Sequence, residues 1–214
     1  TAIQNDLATP LADGKTIKLL VNGAAGQTTT TSGGTGAWSF SVPNPGAGSE
    51  ITVFIDGETE DGVLVMETDG ASDLTGKNIL QDWLNLDEGQ DASGITNTEL
   101  DTAHDGDADI TAIYADGSAN LTTAAGVSLV LSTTYTPGGS VDVQKELRLG
   151  AAGTLAAAAN AVNVAGDLTN AGTITHTGIL TFDGTTTQNV NAGAAAIGSD
   201  VVIANTSADV KLDS

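Results

Sequence analysis

Cysteine is absent from this 214-residue chain, so neither a disulfide frame nor thiolate chemistry is available to it. Basic side chains are scarce. Six Lys and Arg face 27 Asp and Glu, giving a formal net charge of −21. That balance argues against nucleic acid as a partner, because phosphate contacts need clustered Lys and Arg. Aromatics make up 3% of the residues and proline counts four. No window approaches ~18 consecutive apolar residues, so no membrane span is expected. A hydrophobic fraction of 40% is still too high for a wholly disordered acidic tail. What remains is a soluble, β-rich, surface-type protein of one or two domains.

What the chain does have is 27 glycines and 31 each of threonine and alanine. Its acid is unevenly spread. Residues 1–50, 51–120 and 121–214 carry net charges of −1, −16 and −4. Repulsion in the middle third must be spread over solvent or neutralised by cations. The chain begins at Thr1 without a basic n-region or an apolar h-region, as a processed mature form or an excised piece would.

Apolar positions alternate, and Gly, Asp and Asn punctuate the chain every several residues, which predicts short strands joined by turns. Candidate strands fall at Thr16–Val21, Ala37–Val42, Glu50–Ile55, Val63–Met66, Asn78–Leu86, Asp109–Tyr114, Val127–Leu131, Ser140–Val143 and Lys145–Leu149. Further candidates are Ala161–Val164, Thr173–His176, Ile179–Phe182, Val201–Ala204 and Val210–Leu212. Recurrent Asp-Gly pairs, such as Asp13-Gly14, Asp56-Gly57 and Asp69-Gly70, supply the turns. Leu155–Ala161 is alanine-rich but too short to hold a helix alone, and is expected to be a tight, stacked β turn.

The composition shifts near residues 66–76, after which short Thr/Ala/Gly segments repeat more regularly. Gly166, Gly172, Gly178 and Gly184 are spaced by six, with Leu168, Ile174, Leu180 and Thr186 two residues after them and a Thr one residue later still. A small–apolar–Thr frame lets successive short strands stack, with each threonine methyl packed and each hydroxyl toward water. A β-solenoid is the expected outcome, and a plain β-sandwich is the alternative.

The run Gly36-Ala37-Trp38-Ser39-Phe40-Ser41-Val42, followed by Ile51-Thr52-Val53-Phe54, resembles the G-x-W-S-F-x-V core strand of bacterial Ig-like domains in large surface adhesins. The resemblance implies a β-sandwich with its Trp between the sheets. Only about four strands fit before residue 67, whereas a full sandwich needs about seven. Either another chain supplies a strand or the segment caps the C-terminal part of the chain. A second stretch, Asp69–Gly193, contains Gly166-Asp167-Leu168-Thr169-Asn170-Ala171-Gly172-Thr173-Ile174 and Leu180-Thr181-Phe182-Asp183-Gly184-Thr185-Thr186-Thr187-Gln188-Asn189-Val190. It resembles the repeat segments of giant bacterial cell-surface β-strand-repeat proteins, and so implies β-helical stalks, surface layers or fibres. The expectation is therefore all-β: an Ig-like β-sandwich portion over residues 1–68, then a parallel β-helix-like solenoid over 69–214.

The densest set of oxygen ligands is Asp101, Asp105, Asp107 and Asp109, with Asp116 beyond. Acids at alternate positions around a glycine can turn several carboxylates toward one hard cation, and calcium accepts six to eight oxygens. The spacing is not that of an EF-hand. Two readings stand: solvated turn acids, or a calcium site. Asp56, Glu58, Glu60 and Asp61 form a second acidic group, expected at an exposed hairpin tip. Asp82, Asp87, Glu88 and Asp91 flank Trp83, but one Trp among scattered acids is weak support for glycoside chemistry. His104 and His176 lie 72 residues apart without metal-ligand spacing. Gly33-Gly34-Thr35-Gly36 lacks the Lys-Ser/Thr ending of a phosphate loop, and no G-x-S-x-G elbow occurs.

The expected function is therefore non-enzymatic: a structural subunit of an extracellular filament or bacterial cell-surface layer. It would be a homo-oligomer or homopolymer joined through strand edges, with the Thr1–Leu11 arm completing a neighbour's sheet. The rival is an adhesin module that binds a glycan or a protein partner.

Overall fold

A computed structural model describes residues 1–90, 93–104, 106–117, 119–193, 197 and 200–213. The first strands are β1 (Ala2–Ile3), β2 (Thr16–Val21), β3 (Ala24–Thr30), β4 (Ser49–Ile55) and β5 (Val63–Thr68). Next come β6 (Ile79–Leu80), β7 (Trp83–Leu86), β8 (Ile95–Thr96), helix α1 (Asn97–Ala103) and helix α2 (Ala108–Thr111). After these stand β9 (Tyr114–Gly117), β10 (Asn120–Thr123), β11 (Ser128–Leu131), β12 (Thr134–Thr136), β13 (Val141–Val143) and β14 (Leu147–Leu149). The last are β15 (Thr154–Ala158), β16 (Val162–Val164), β17 (Leu168–Asn170), β18 (Thr173–His176), β19 (Ile179–Phe182), β20 (Gln188–Asn191), β21 (Asp200–Ile203) and β22 (Val210–Asp213).

From β7 onward the chain winds as a β-solenoid of about seven turns. The circuits that begin at β7, β11, β14 and β17 visit three walls in the same order. One wall carries β7, β11, β14, β17, β20 and β22, a second β8, β12, β15 and β18, and a third β10, β13, β16, β19 and β21. Leu129, Leu147, Leu168, Val190 and Leu212 are stacked in register on the first wall, so a rung takes 18 to 22 residues. Their interior neighbours are Tyr135, Leu155 and Ile174 on the second wall and Leu121, Val141, Val162 and Leu180 on the third. All of these except Leu212 are buried. Burial of each such aliphatic side chain stabilises by roughly 1.5–3 kcal/mol.

The six-residue frame is one side of this three-sided coil. Gly166 precedes the first wall, Gly172 the second and Gly178 the third, and Leu168, Ile174 and Leu180 point inward from them. The glycines recur for a steric reason. A Cβ on Gly172 would lie 2.1 Å from the Gly153 carbonyl oxygen one rung back, and one on Gly184 would lie 2.0 Å from that of Ala165. The frame breaks after Gly184, where Thr185, Thr186 and Thr187 are exposed and Gln188 and Val190 turn inward instead. The alanine-rich run forms strand β15 and the turn after it, with Ala157 buried.

The N-terminal strands extend the first wall. Strands β3, β2, β4 and β5 pair antiparallel in that spatial order, and β5 pairs parallel with β7. One ten-stranded sheet thus runs from β22 to β3 across residue 69. Its β2–β5 end is apolar on both faces. Leu20, Phe54, Val63 and Val65 join the solenoid core, whereas Leu19, Ile51, Val53 and Met66 form a separate cluster with Trp38, Phe40 and Leu74. The predicted strand Ala37–Val42 joins no sheet: beyond a bridge from Ala37 to Ser32, its residues have no ladder partner. The second layer over this face is made by loops and by the N-terminal arm. That arm is engaged within its own chain, with β1 paired to β6 and Ala2 and Leu11 buried.

The alternation in Asp109–Tyr114 predicts a strand, but the first part of this segment lies in α2. Asp107 caps this helix by accepting the Asp109 amide at 3.1 Å, which commits the segment to a helical turn. Ahead of it, Thr96 and Glu99 form a reciprocal capping box at the start of α1. Among the described residues, no helix is long and apolar enough to cross a membrane.

Candidate functional site

The acidic residues converge where the β4–β5 turn meets α2. Carboxylate oxygens of Asp56, Asp107 and Asp109 lie within 4.8 Å of one another. Asp56 directly follows β4, while the N-cap and first turn of α2 supply the other two. This set already holds a cation. Lys18 Nζ, from the middle of β2, is 2.7 Å from Asp107 Oδ2 and 3.6 Å from Asp56 Oδ1. It also stands 5.2 Å from the centroid of the Phe54 ring. Asp109 Oδ2 accepts the Gly57 amide at 2.6 Å. Partial burial works against ionisation of Asp107. The Lys18 hydrogen bond, the Asp109 amide and the charges of Lys18 and His104 together outweigh it and hold the carboxyl below its usual range. Asp61 is pushed up, first by burial and then by the charges of Asp109, Asp82 and Glu60.

Of the five predicted ligands, Asp107 and Asp109 come together, with Asp56 as an unforeseen third member. Asp101 lies exposed on α1. Asp116 is on β9, with Oδ2 buried and without a partner among the described residues. Burial raises its carboxyl, and the Asp101 charge adds to that. Asp105 lies outside the described residues. The donor set at the cluster is carboxylate oxygen, which suits calcium, but Lys18 and the Gly57 amide engage part of it.

The second acidic group is a turn, and its members diverge. Glu58 and Glu60 grip Lys15 at 3.3 and 2.6 Å, and Glu58 Oε1 also accepts the Thr16 amide at 2.9 Å. Asp56 faces Lys18 instead. Trp83 is buried, with the Arg148 guanidinium 5.7 Å from its ring centroid, so it offers no platform to a sugar. Asp87 pairs with Lys77 at 3.0 Å, and Asp91 lies outside the described residues. His104 accepts the Gly106 amide through Nδ1 at 3.1 Å and meets the Tyr114 ring edge-on. His176 is buried with Nε2 2.6 Å from the Asn160 carbonyl.

Two further features bear on function. A shallow cleft of about 410 Å³ on the third wall includes Asp142, Gln144, Lys145 and Asp183. Burial raises the Asp142 carboxyl, and the Asp183 charge adds to it. A larger cleft, about 770 Å³, lies between the loops at residues 37–45 and 71–77 and the apolar face of β2, β4 and β5. Trp38 Nε1 is buried there without a partner among the described residues.

Val201, Ile203 and Leu212 are in register with the buried Leu180, Phe182 and Val190, yet they are 46%, 54% and 79% exposed. Among the described residues, β21 and β22 are the end strands of their sheets.

No family model matches this chain, and no curated protein or solved structure is significantly similar to it.

Proposed function

We propose that this chain is a non-enzymatic structural subunit of a bacterial cell-surface layer or extracellular filament, self-associating through β-strand edges. The observation that carries the reading is the ten-stranded sheet, in which β3 is an end strand that pairs on one side only among the described residues, an edge open to a further strand. Supporting it, the walls are built from hydrogen-bonded rungs that satisfy their own backbone. An extracellular setting accords with the absence of cysteine, the acidic surface and the resemblance to surface-repeat proteins. Residues 1–68 are read as an Ig-like portion whose second layer consists of loops rather than strands, and calcium as an added stabiliser at Asp107 and Asp109.

The test is association against concentration, by light scattering and negative-stain microscopy. Concentration-dependent, regular assemblies support the proposal. A chain that stays monomeric at every concentration refutes it. The second reading, an adhesin module, draws on the cleft beside Trp38; glycan-array binding by the monomer would favour it.

A further inference from the structure

At the pole where the two helices lie, the three walls end differently. The second ends at β8 and the third at β9, and α1 and α2 pack against these strands. The first wall runs on through β5, β4 and β2 to β3, which pairs with β2 alone among the described residues. Proteins protect such an edge with lysine, proline, an inward-pointing charge or a bulge. Strand β3 carries neither a charged residue nor a proline. Its bulge is confined to Gly26 and Gln27, between the partners Leu20–Ala25 and Lys18–Thr28. Beyond the bulge, Thr28, Thr29 and Thr30 are regular strand.

The direction of the backbone groups in this segment follows from its neighbours. The Thr31 amide donates to the Lys15 carbonyl at 2.9 Å, on the β2 side. The Asp56 amide donates to the Thr16 carbonyl at 3.0 Å, so Thr16 turns toward β4 and away from Thr30, its partner across the ladder. Alternation then points the N–H and C=O of Thr28 and Thr30 away from β2, and those of Thr29 toward it. An antiparallel edge of this kind is its own complement about a two-fold axis. Charge favours the same partner. The chain carries −21, but residues 1–50 hold three acids and two bases and β3 holds none, so copies repel least where these edges meet. Threonines facing threonines also pair favourably across strands.

We infer that β3 of one copy pairs antiparallel with β3 of a second copy, Thr28 against Thr30 in both directions about an axis through Thr29. This rests on the self-association proposed above and names its edge, partner and register. The two ten-stranded sheets become one, continuous from one solenoid into the other. Backbone hydrogen bonds supply the affinity, as in other strand additions. The contact is isologous and closes on itself, so it makes a unit of two coils joined end to end, and growth beyond that unit uses another surface.

The absence of cysteine makes the test clean. Facing Thr29 residues form a non-hydrogen-bonded pair with Cα atoms about 4.5 Å apart, within disulfide reach. Thr29→Cys is oxidised beside a control on the second wall, Thr175→Cys, and linked dimers are counted by mass. T29C should cross-link at least about tenfold faster than T175C, because strand pairing holds the two thiols at high effective concentration. Thr29→Lys and Thr29→Glu each set like charges face to face on the axis. Each should sediment as a monomer, and their mixture should restore the dimer. Assembly of the unsubstituted chain without the T29C preference, or without rescue in the mixture, overturns the assignment of β3 while leaving self-association standing. A chain that does not assemble at all overturns both.

Discussion

Gln188 reaches back one rung to hydrogen-bond the Val164 carbonyl at 2.8 Å, and the same Nε2 donates to Gly166 at 2.7 Å. Its Oε1 accepts the Gly184 amide at 3.1 Å, and Asn205 Nδ2 also donates to it at 3.1 Å. This buried amide is fully partnered at the corner where the six-residue frame breaks. Gln188→Ala removes it and takes the side-chain partner from the Gly184 amide and the Gly166 carbonyl, while the Val164 carbonyl keeps the Asp183 amide. The expected cost is about 3 kcal/mol by urea unfolding. In a coil whose rungs touch only their neighbours, the loss should be local. Amide exchange should accelerate first in β19–β22, before the rungs nearer β11.

Gly172→Ala tests why glycine recurs at the corners. The added methyl would sit 2.1 Å from one backbone oxygen and 2.5 Å from another, those of Gly153 and Gly150, neither of which can swing aside. We expect a loss of about 2–4 kcal/mol, in the range of overpacking and backbone-strain substitutions. Gly126→Ala meets no atom within 4 Å, but its φ of +83° carries strain of its own. The two variants together separate inter-rung contact from conformational strain.

Acid response is set by the direction of the carboxyl shifts. Asp142 is raised above its unfolded value by burial and by Asp183. Its contribution is fully present below the unfolded pKa and is lost as pH rises through the folded one. Asp142→Asn mimics the protonated form, so it should raise the melting temperature at pH 7 by on the order of a degree or two. The advantage should vanish near pH ~3, where the native carboxyl is largely protonated in both states. Asp107 is shifted the other way, so its contribution is present at neutral pH and is lost as pH falls through its lowered value.

Lys18→Met tests the cation question at the acidic cluster. Removing the ammonium leaves Asp56, Asp107 and Asp109 crowded without their counter-charge, at an expected cost of about 1 kcal/mol for these partly exposed groups. Calcium should then raise the melting temperature of the variant more than that of the unsubstituted chain, because the metal no longer competes with Lys18. If millimolar calcium and a chelator give the same melting curve in both proteins, the calcium reading is wrong.

The coil itself was legible because its physics is local. Thr16–Val21, Thr173–His176 and Ile179–Phe182 are strands over the predicted bounds. The period of six that marked the repeat is one wall of a rung. Ala37–Val42 misled because alternation reports which face is buried, not whether a neighbour supplies the ladder. Asp109–Tyr114 misled because a single capping carboxylate, Asp107, outweighs a short apolar alternation. The Thr96-Asn97-Thr98-Glu99 capping signature was present in the sequence and marks α1, but it is easily passed over in a chain otherwise read as β. The cluster was half visible. Asp107 and Asp109 are neighbours in sequence, whereas Asp56 and Lys18 reach them only through the stacking of β2 and β4 beneath α2.

Because a rung of 18 to 22 residues returns the chain to the same wall, one circuit further along, a circuit is a unit of length as well as of structure. Inserting or deleting a whole circuit would lengthen or shorten the rod by one inter-strand spacing, about 4.8 Å, and leave both extremities chemically unchanged. Such an architecture can be re-dimensioned by duplication alone, with no interface to reinvent.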